Sequence, residues 1–272
     1  MEMSFKRELI MPTALVTGAS MGIGAAFARS LATQKYDLVL VARSQDKLKE
    51  LAHELTINHG VQVNIWVADL TVATAAQEVF DAVKSWDWTI DLLINNAGFG
   101  DYAAFVNCDR SKQISMIQLN VLALTELTHL FLPSMVERTS GSIINVASIA
   151  GLQPLPYLSV YAATKAFVVS FSESLWAEVK GSGVRVQALC PGATESNFGV
   201  AAGMDKMMEG STQAPPKIAT AESVVKESLD ALERNQPVVV TGFGNQVVST
   251  IGRFVPRKTL ASWVEQVFRP KS

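Results

Sequence analysis

Short apolar runs alternate with longer amphipathic stretches along most of this 272-residue chain. The runs near Ala14–Thr17, Leu38–Ala42, Gln62–Val67, Leu92–Asn95, Ser142–Ala147, Arg185–Leu189 and Val238–Thr241 predict strands. Several consist almost wholly of Val, Ile, Leu and Ala, as strands covered on both faces require. The stretches between them predict helices over Gly22–Thr33, Gln45–Asn58, Ala73–Ser85, Arg110–Glu137, Tyr157–Lys180 and Ala221–Glu233. This alternation is the pattern of βαβ units laid onto a parallel sheet. It predicts an α/β, doubly wound fold: a mostly parallel seven-stranded sheet with helices on both faces, in three layers.

Two segments depart from the rhythm. Residues 192–216 are rich in Gly, Ala, Met and Pro and too long for an ordinary connection, which predicts a substrate loop or lid. Residues 251–272 carry Arg253, Arg257, Lys258, Arg269 and Lys271 against one acid, Glu265, with Phe254, Leu260, Trp263, Val264 and Phe268 among them. A solvated surface, a subunit contact and a membrane-surface helix are all compatible with that pattern; no membrane partner is expected. No Pro/Ser-rich linker or repeat divides the chain, so one domain over residues 1–272 is expected.

Composition narrows the function. With 49% apolar and 18% charged residues the chain can bury a sizeable core and is not of a disordered type. A net charge of −2 argues against nucleic acid as a partner. Cys108 and Cys190 are too isolated for a disulfide framework or a metal knuckle, and no metal is expected. Residues Met1–Glu8 mix acids and bases without the order of a secretory signal, and no run approaches ~18 continuous apolar residues. A cytoplasmic location is the expectation.

The turn Thr17-Gly18-Ala19-Ser20-Met21-Gly22-Ile23-Gly24 follows the first strand and opens a helix. In that context Gly18 permits a tight turn, Gly22 lets backbone approach a pyrophosphate, and Gly24 permits close helix–sheet packing. The helix N-terminus offers free N–H groups to phosphate; Ser20, Met21 and Ile23 share the turn. A glycine-rich βα turn without a ligand is the competing reading. Arg43 follows the second strand where an NAD-selective site would want a carboxylate, and it can fork onto a 2′-phosphate with Ser44. Ser44 is otherwise a helix N-cap and Arg43 a solvated base. Asp69, beside Leu70, is placed either to accept from an adenine amino group or to cap a helix. Asn95-Asn96-Ala97-Gly98 closes the fourth strand, where ligands of such sheets sit, or is a plain turn.

Tyr161 and Lys165 stand four residues apart, one helical turn, a short connection after Ser148. An ammonium beside a phenol favours the phenolate: lowering a tyrosine from ~10 to about 7 takes roughly 4 kcal/mol, which one cation at ~4 Å supplies at an effective dielectric near 20. Each residue has a plainer role open to it, as a surface pair, a turn serine or a helix asparagine.

Taken together, Thr17-Gly18-x-x-x-Gly22-x-Gly24, Asn95-Asn96-Ala97-Gly98, Asn120, Ser148, Tyr161-x-x-x-Lys165 and Pro191-Gly192 resemble the short-chain dehydrogenase/reductase family, over Thr13 to about Thr241. The resemblance implies a Rossmann domain that transfers hydride between nicotinamide and a carbonyl or secondary alcohol. It implies Tyr161 as proton donor or acceptor, Ser148 as a hydrogen-bonding partner of the substrate oxygen, and Asn120 as holder of a water leading to Lys165. It also implies that Lys165 binds the nicotinamide ribose and lowers the phenol's pKa. Asn96, Ala97, Gly98, Pro191, Gly192, Thr194 and Ser196 would join the cofactor site. NADP(H) is the expected cofactor, with NAD possible because Met21 stands where many NADP-preferring relatives carry a base. A homodimer or homotetramer is implied, paired through the two long helices. Leu152, Leu158 and Phe198, with Met204, Met207 and Met208, suggest a small-molecule substrate that is a small-to-medium hydrophobic ketone or aldehyde. The alternative is an NADP(H)-sensing binding protein of the same fold.

Overall fold

A computed structural model describes residues 11–195, 198–203, 218–252 and 254–270. Ser196, Met204, Met207, Met208, Arg253 and Lys271 lie outside the described residues. In chain order the elements are β1 (Thr13–Thr17), α1 (Gly22–Thr33), β2 (Asp37–Ala42), α2 (Gln45–His59), β3 (Val63–Val67), α3 (Ala75–Ser85) and β4 (Leu92–Asn95). Then come α4 (Arg110–Ile117), a π-helical turn (Gln118–Ala123), α5 (Leu124–Glu137), β5 (Gly141–Val146), α6 (Ser159–Glu178) and β6 (Val184–Cys190). The last part holds α7 (Phe198–Ala201), α8 (Ala221–Glu233), β7 (Val238–Val240), α9 (Phe243–Gly252) and α10 (Arg257–Phe268).

The seven strands pair in the order β3-β2-β1-β4-β5-β6-β7, every pair parallel. Strands β1, β2, β4 and β5 bury nearly every residue, which explains their unbroken apolar composition. Alternate strand residues feed two cores. Ala14, Val16, Leu38 and Leu40 pack on Phe27 and Leu31 of α1 and Leu48 and Leu55 of α2. Leu15, Val39, Leu93 and Ile143 pack on Val79 of α3, Leu127 and Phe131 of α5 and Leu175 of α6. The strand order reverses direction between β1 and β4, and that switch point fixes where a ligand crevice opens.

The structure changes the predicted elements in three places. The helix expected over Arg110–Glu137 is interrupted by the π-helical turn at Gln118–Ala123. By length and hydropathy this 28-residue stretch is apolar enough to cross a membrane, yet Met116, Leu127, Phe131 and Met135 are buried in the fold. The helix expected from Tyr157 begins at Ser159, and Tyr157 itself stands at φ 66°, in the left-handed region. Beyond β7 the chain forms α9 and α10, which the strand–helix rhythm does not foretell.

Candidate active site

The glycine turn, the Asn95–Gly98 stretch, Ser148 and Pro191–Gly192 all follow strands at the sheet's C-terminal edge, on either side of the switch point. Gly18 adopts φ 64° and Gly22 φ 55°, conformations that a side chain resists. A Cβ on Gly24 would collide with the Gly18 carbonyl, so this glycine lets α1 close against the turn. Helix α1 starts with no side-chain cap and no acid in its first turn, leaving its N–H groups to an anion. A cradle of this shape suits a dinucleotide pyrophosphate.

Thr17, absent from the sequence-predicted set, is the organiser of that cradle. Its hydroxyl accepts from the Asn96 and Ala97 N–H groups at 2.9 and 3.0 Å and donates to the Ile94 carbonyl. The Asn96 side chain donates to the Thr17 and Gly18 carbonyls at 2.9 and 3.2 Å. Asn96 therefore braces the turn with its amide rather than offering it to a ligand. Asp69 caps no helix: its Oδ1 accepts from the Thr71 N–H and hydroxyl, which holds the carboxyl below its ordinary range. Helix α3 begins after Thr74 instead. Leu70 is buried beside it. Arg43 is exposed at the end of β2, with Asp69 within its electrostatic reach. Ser44 occupies the N-cap position of α2 without a side-chain cap bond, so its hydroxyl is uncommitted there.

Four side chains converge on the other side of the cleft. Asn120 projects inward from the π-helical turn, the kind of local widening that often marks functional sites. Its Nδ2 donates to the Phe99 carbonyl at 3.0 Å and to Thr164 Oγ1 at 3.1 Å, while Oδ1 accepts from the Phe99 N–H at 3.1 Å. The asparagine thus ties the loop after Gly98 to α6 and keeps one lone pair of Oδ1 for a water. Gly98 lies against this group; a Cβ there would stand 3.0 Å from Asn120 Oδ1 and 3.4 Å from Lys165 Nζ. Ser148 Oγ accepts from the Ala150 N–H at 3.1 Å and hydrogen-bonds the Tyr161 phenol. A Cβ on Gly151 would strike the Lys165 backbone, so only glycine lets the Ser148 turn press onto α6.

Tyr161 and Lys165 do share one face of α6, both buried, with Lys165 only 4% exposed. The ammonium nitrogen lies 5.8 Å from the phenol ring centroid. It donates to the Val146 carbonyl at 2.7 Å. Burial governs both groups: it pushes the phenol up to about 12, against the Ser148 hydrogen bond, and the lysine down to about 8. The expected lowering of the phenol by Lys165 is therefore not what this arrangement produces. The lysine's charge is turned toward a strand carbonyl, and desolvation outweighs what reaches the phenol. At neutral pH the phenol therefore holds its proton.

The remaining predicted residues divide. Phe198 of α7 stands 5.3 Å from the Tyr161 ring between centroids, and Leu158 is buried in the same apolar cluster. Leu152 is partly buried against a different cluster, with Leu124, Ala147, Val168 and Val169. The Pro191 carbonyl accepts from the Ile149 N–H, joining the β5 and β6 ends, and Thr194 Oγ1 donates to the Gly192 carbonyl. A side chain at Gly192 would collide with Asn245 of α9, a contact that no local pattern announces. Beneath the site Asn95 Nδ2 donates to Asn145 Oδ1 and Thr128 Oγ1, and Asn145 Nδ2 to Ser172 Oγ, a buried chain fixing β4, β5 and α6 together. A separate cleft of about 360 Å3, lined by Tyr36, Asp91 and Arg185, opens at the opposite edge of the sheet, away from these groups.

A parallel doubly wound sheet with this cradle and an adjoining Ser–Tyr–Lys cluster defines an oxidoreductase of the Rossmann class. The model of the short chain dehydrogenase family matches residues 12–206. The chain belongs to the short-chain dehydrogenase/reductase family. It is 36% identical over 223 residues to the very-long-chain 3-oxoacyl-CoA reductase of Anas platyrhynchos, covering 79% of this chain and 67% of that one. Among solved structures it resembles a short-chain dehydrogenase from Sphingobium yanoikuyae in complex with NADPH, at 35% identity and TM-score 0.79, over 93% of this chain and 96% of that one. The bulky-bulky ketone specific alcohol dehydrogenase from Comamonas testosteroni is also similar, at 31% identity and TM-score 0.75, covering 90% and 92% of the two chains.

Proposed function

We propose that this oxidoreductase reduces an apolar ketone with NADPH, Tyr161 acting as the proton donor. The observation that carries the reading is the buried, protonated phenol beside Ser148 and Lys165 at the mouth of the glycine cradle. When bound, the reduced nicotinamide supplies hydride, and that chemistry is the cofactor's own. The chain's residues do the rest. Ser148 already accepts from the Ala150 N–H, so its own proton is free to point at a carbonyl oxygen or at the phenol. Tyr161 Oη gives its proton to the oxygen as negative charge grows there. Lys165, with a pKa of about 8, gains and loses a proton near neutrality and resupplies the phenol. Asn120, bonded to Phe99 and Thr164, holds the lysine side of the cleft in place.

The cofactor preference rests on Arg43 and the uncommitted Ser44, both suited to a 2′-phosphate, with no carboxylate at the end of β2. The substrate class rests on the apolar surroundings of the phenol, Leu155, Leu158 and Phe198. The named substrates of the two relatives, a very-long-chain 3-oxoacyl-CoA and a bulky ketone, have in common a ketone with large flanking groups.

The test is NADPH consumption over a panel of 3-oxoacyl thioesters, aryl ketones, aldehydes and steroids, repeated with NADH and with Arg43→Ala. The proposal expects carbonyl-dependent consumption, fastest with apolar ketones, and a preference for NADPH that Arg43→Ala reduces by roughly 10- to 100-fold. Tight NADPH binding without consumption on any carbonyl would support the sensor instead.

A further inference from the structure

No residue of α10 in the basic C-terminal segment is fully buried, yet one face of that helix meets the fold. Helix α10 docks onto the apolar cluster that contains the phenol of Tyr161: Val264 and Phe268 are partly buried against that cluster, whose members also include Tyr102, Met116, Leu155 and Leu158. Two tyrosine hydroxyls hold it there. Tyr102 Oη donates to the Phe268 carbonyl at 2.6 Å, a bond spanning 166 residues of chain. Tyr157 Oη donates to Glu265 Oε1 at 2.6 Å. The same carboxylate accepts from Arg269 Nε and Nη2 at 2.8 Å each, a fork that orients it toward the phenol of Tyr157.

Both tyrosines are anchored from behind. The Ala103 N–H donates to the Tyr157 carbonyl at 2.9 Å, and the Tyr102 N–H to the Ala202 carbonyl at 2.8 Å, next to α7 and Phe198. Tyr157 holds a left-handed φ of 66°, which a bulky residue adopts only where its surroundings impose it. Such a conformation costs free energy and persists only where surrounding contacts hold it. The strained residue lies four positions before Tyr161 in sequence, so one short segment carries both the latch and the proton donor.

We infer that Val264 and Phe268 are specificity-determining residues, forming the outer wall of the substrate cleft over Tyr161. The Tyr157–Glu265–Arg269 latch positions that wall. The inference rests on the ketone-reductase reading and narrows it: the larger flank of the ketone lies against α10, and the wall sets how large that flank can be. Glu265, Tyr157 and Tyr102 act through the helix and touch no reacting atom.

The test compares kcat/KM for two ketones, one with a single large flank and one with two, in the wild type, Phe268→Ala, Phe268→Leu and Tyr157→Phe. NADPH affinity, read by nucleotide fluorescence, and Tm are measured on each. One side-chain step in an apolar pocket is worth roughly 10- to 200-fold in selectivity. The expected result is a shift in the bulky-to-small ratio of about tenfold or more in Phe268→Ala, smaller in Phe268→Leu and Tyr157→Phe. It should be expressed mainly in KM and accompanied by wild-type NADPH affinity. Phe268→Leu keeps an apolar anchor, so the test survives if the alanine variant loosens the fold. Ratios within twofold of wild type in folded variants would overturn the inference alone. A wild type that reduces none of the ketones would overturn the functional reading with it.

Discussion

Lys165 and Tyr161 show how a residue's chemistry is set by what surrounds it. The spacing of four placed both on one face of α6, as the sequence implies. The direction of the phenol's shift was not legible there, because it depends on the burial supplied by remote strands and on the Val146 carbonyl that takes the lysine's charge. Burying that amine has a consequence for stability. The unfolded chain keeps its proton to about 10.5 and the folded chain only to about 8, so between those values unfolding takes up a proton. Wild-type stability relative to Lys165→Met should therefore rise as pH climbs from 8 to 10.5, by on the order of 3 kcal/mol, and stay flat below 8. Denaturant titrations of the two proteins at several pH values check this; a constant difference would show that Lys165 is not perturbed by burial.

Among the elements, those with strong periodicity were readable and those made by tertiary contact were not. The seven strands and the helices from α1 to α3 lie within a few residues of their predicted places, since apolar period and glycine punctuation decide them. The π-helical turn was hidden because the extra residue that aims Asn120 inward leaves no compositional mark. Helices α9 and α10 were hidden because they lie beyond the last strand, with Gly244 and Gly252 inside or ending α9 and Pro256 before α10. The glycine turn was legible in outline, but the hydroxyl of Thr17 and the amide of Asn96 that fix it were not. Gly24→Ala tests the cradle directly. Its Cβ has the Gly18 carbonyl in the way, and overpacking of this kind costs about 1–3 kcal/mol. NADPH affinity should fall by more than tenfold, measured by fluorescence titration; unchanged affinity would remove the cradle from the nucleotide site.

At the scale of the molecule, the order β3-β2-β1-β4-β5-β6-β7 brings together groups from Gly18 to Gly192 that local sequence cannot relate. The parallel sheet predicts a crevice at its switch point, and the Ser148, Tyr161 and Lys165 cluster borders it. The C-terminal helix is held against the opposite flank by bonds spanning 166 and 108 residues of chain. Proton donation by Tyr161 is the claim on which the whole account turns. The most direct measurement is ketone reduction by Tyr161→Phe beside wild type, with NADPH binding followed in the same preparations. Loss of the hydroxyl should lower kcat by about 10^2- to 10^4-fold while NADPH binds as before. Turnover by the phenylalanine variant at the wild-type rate would contradict it.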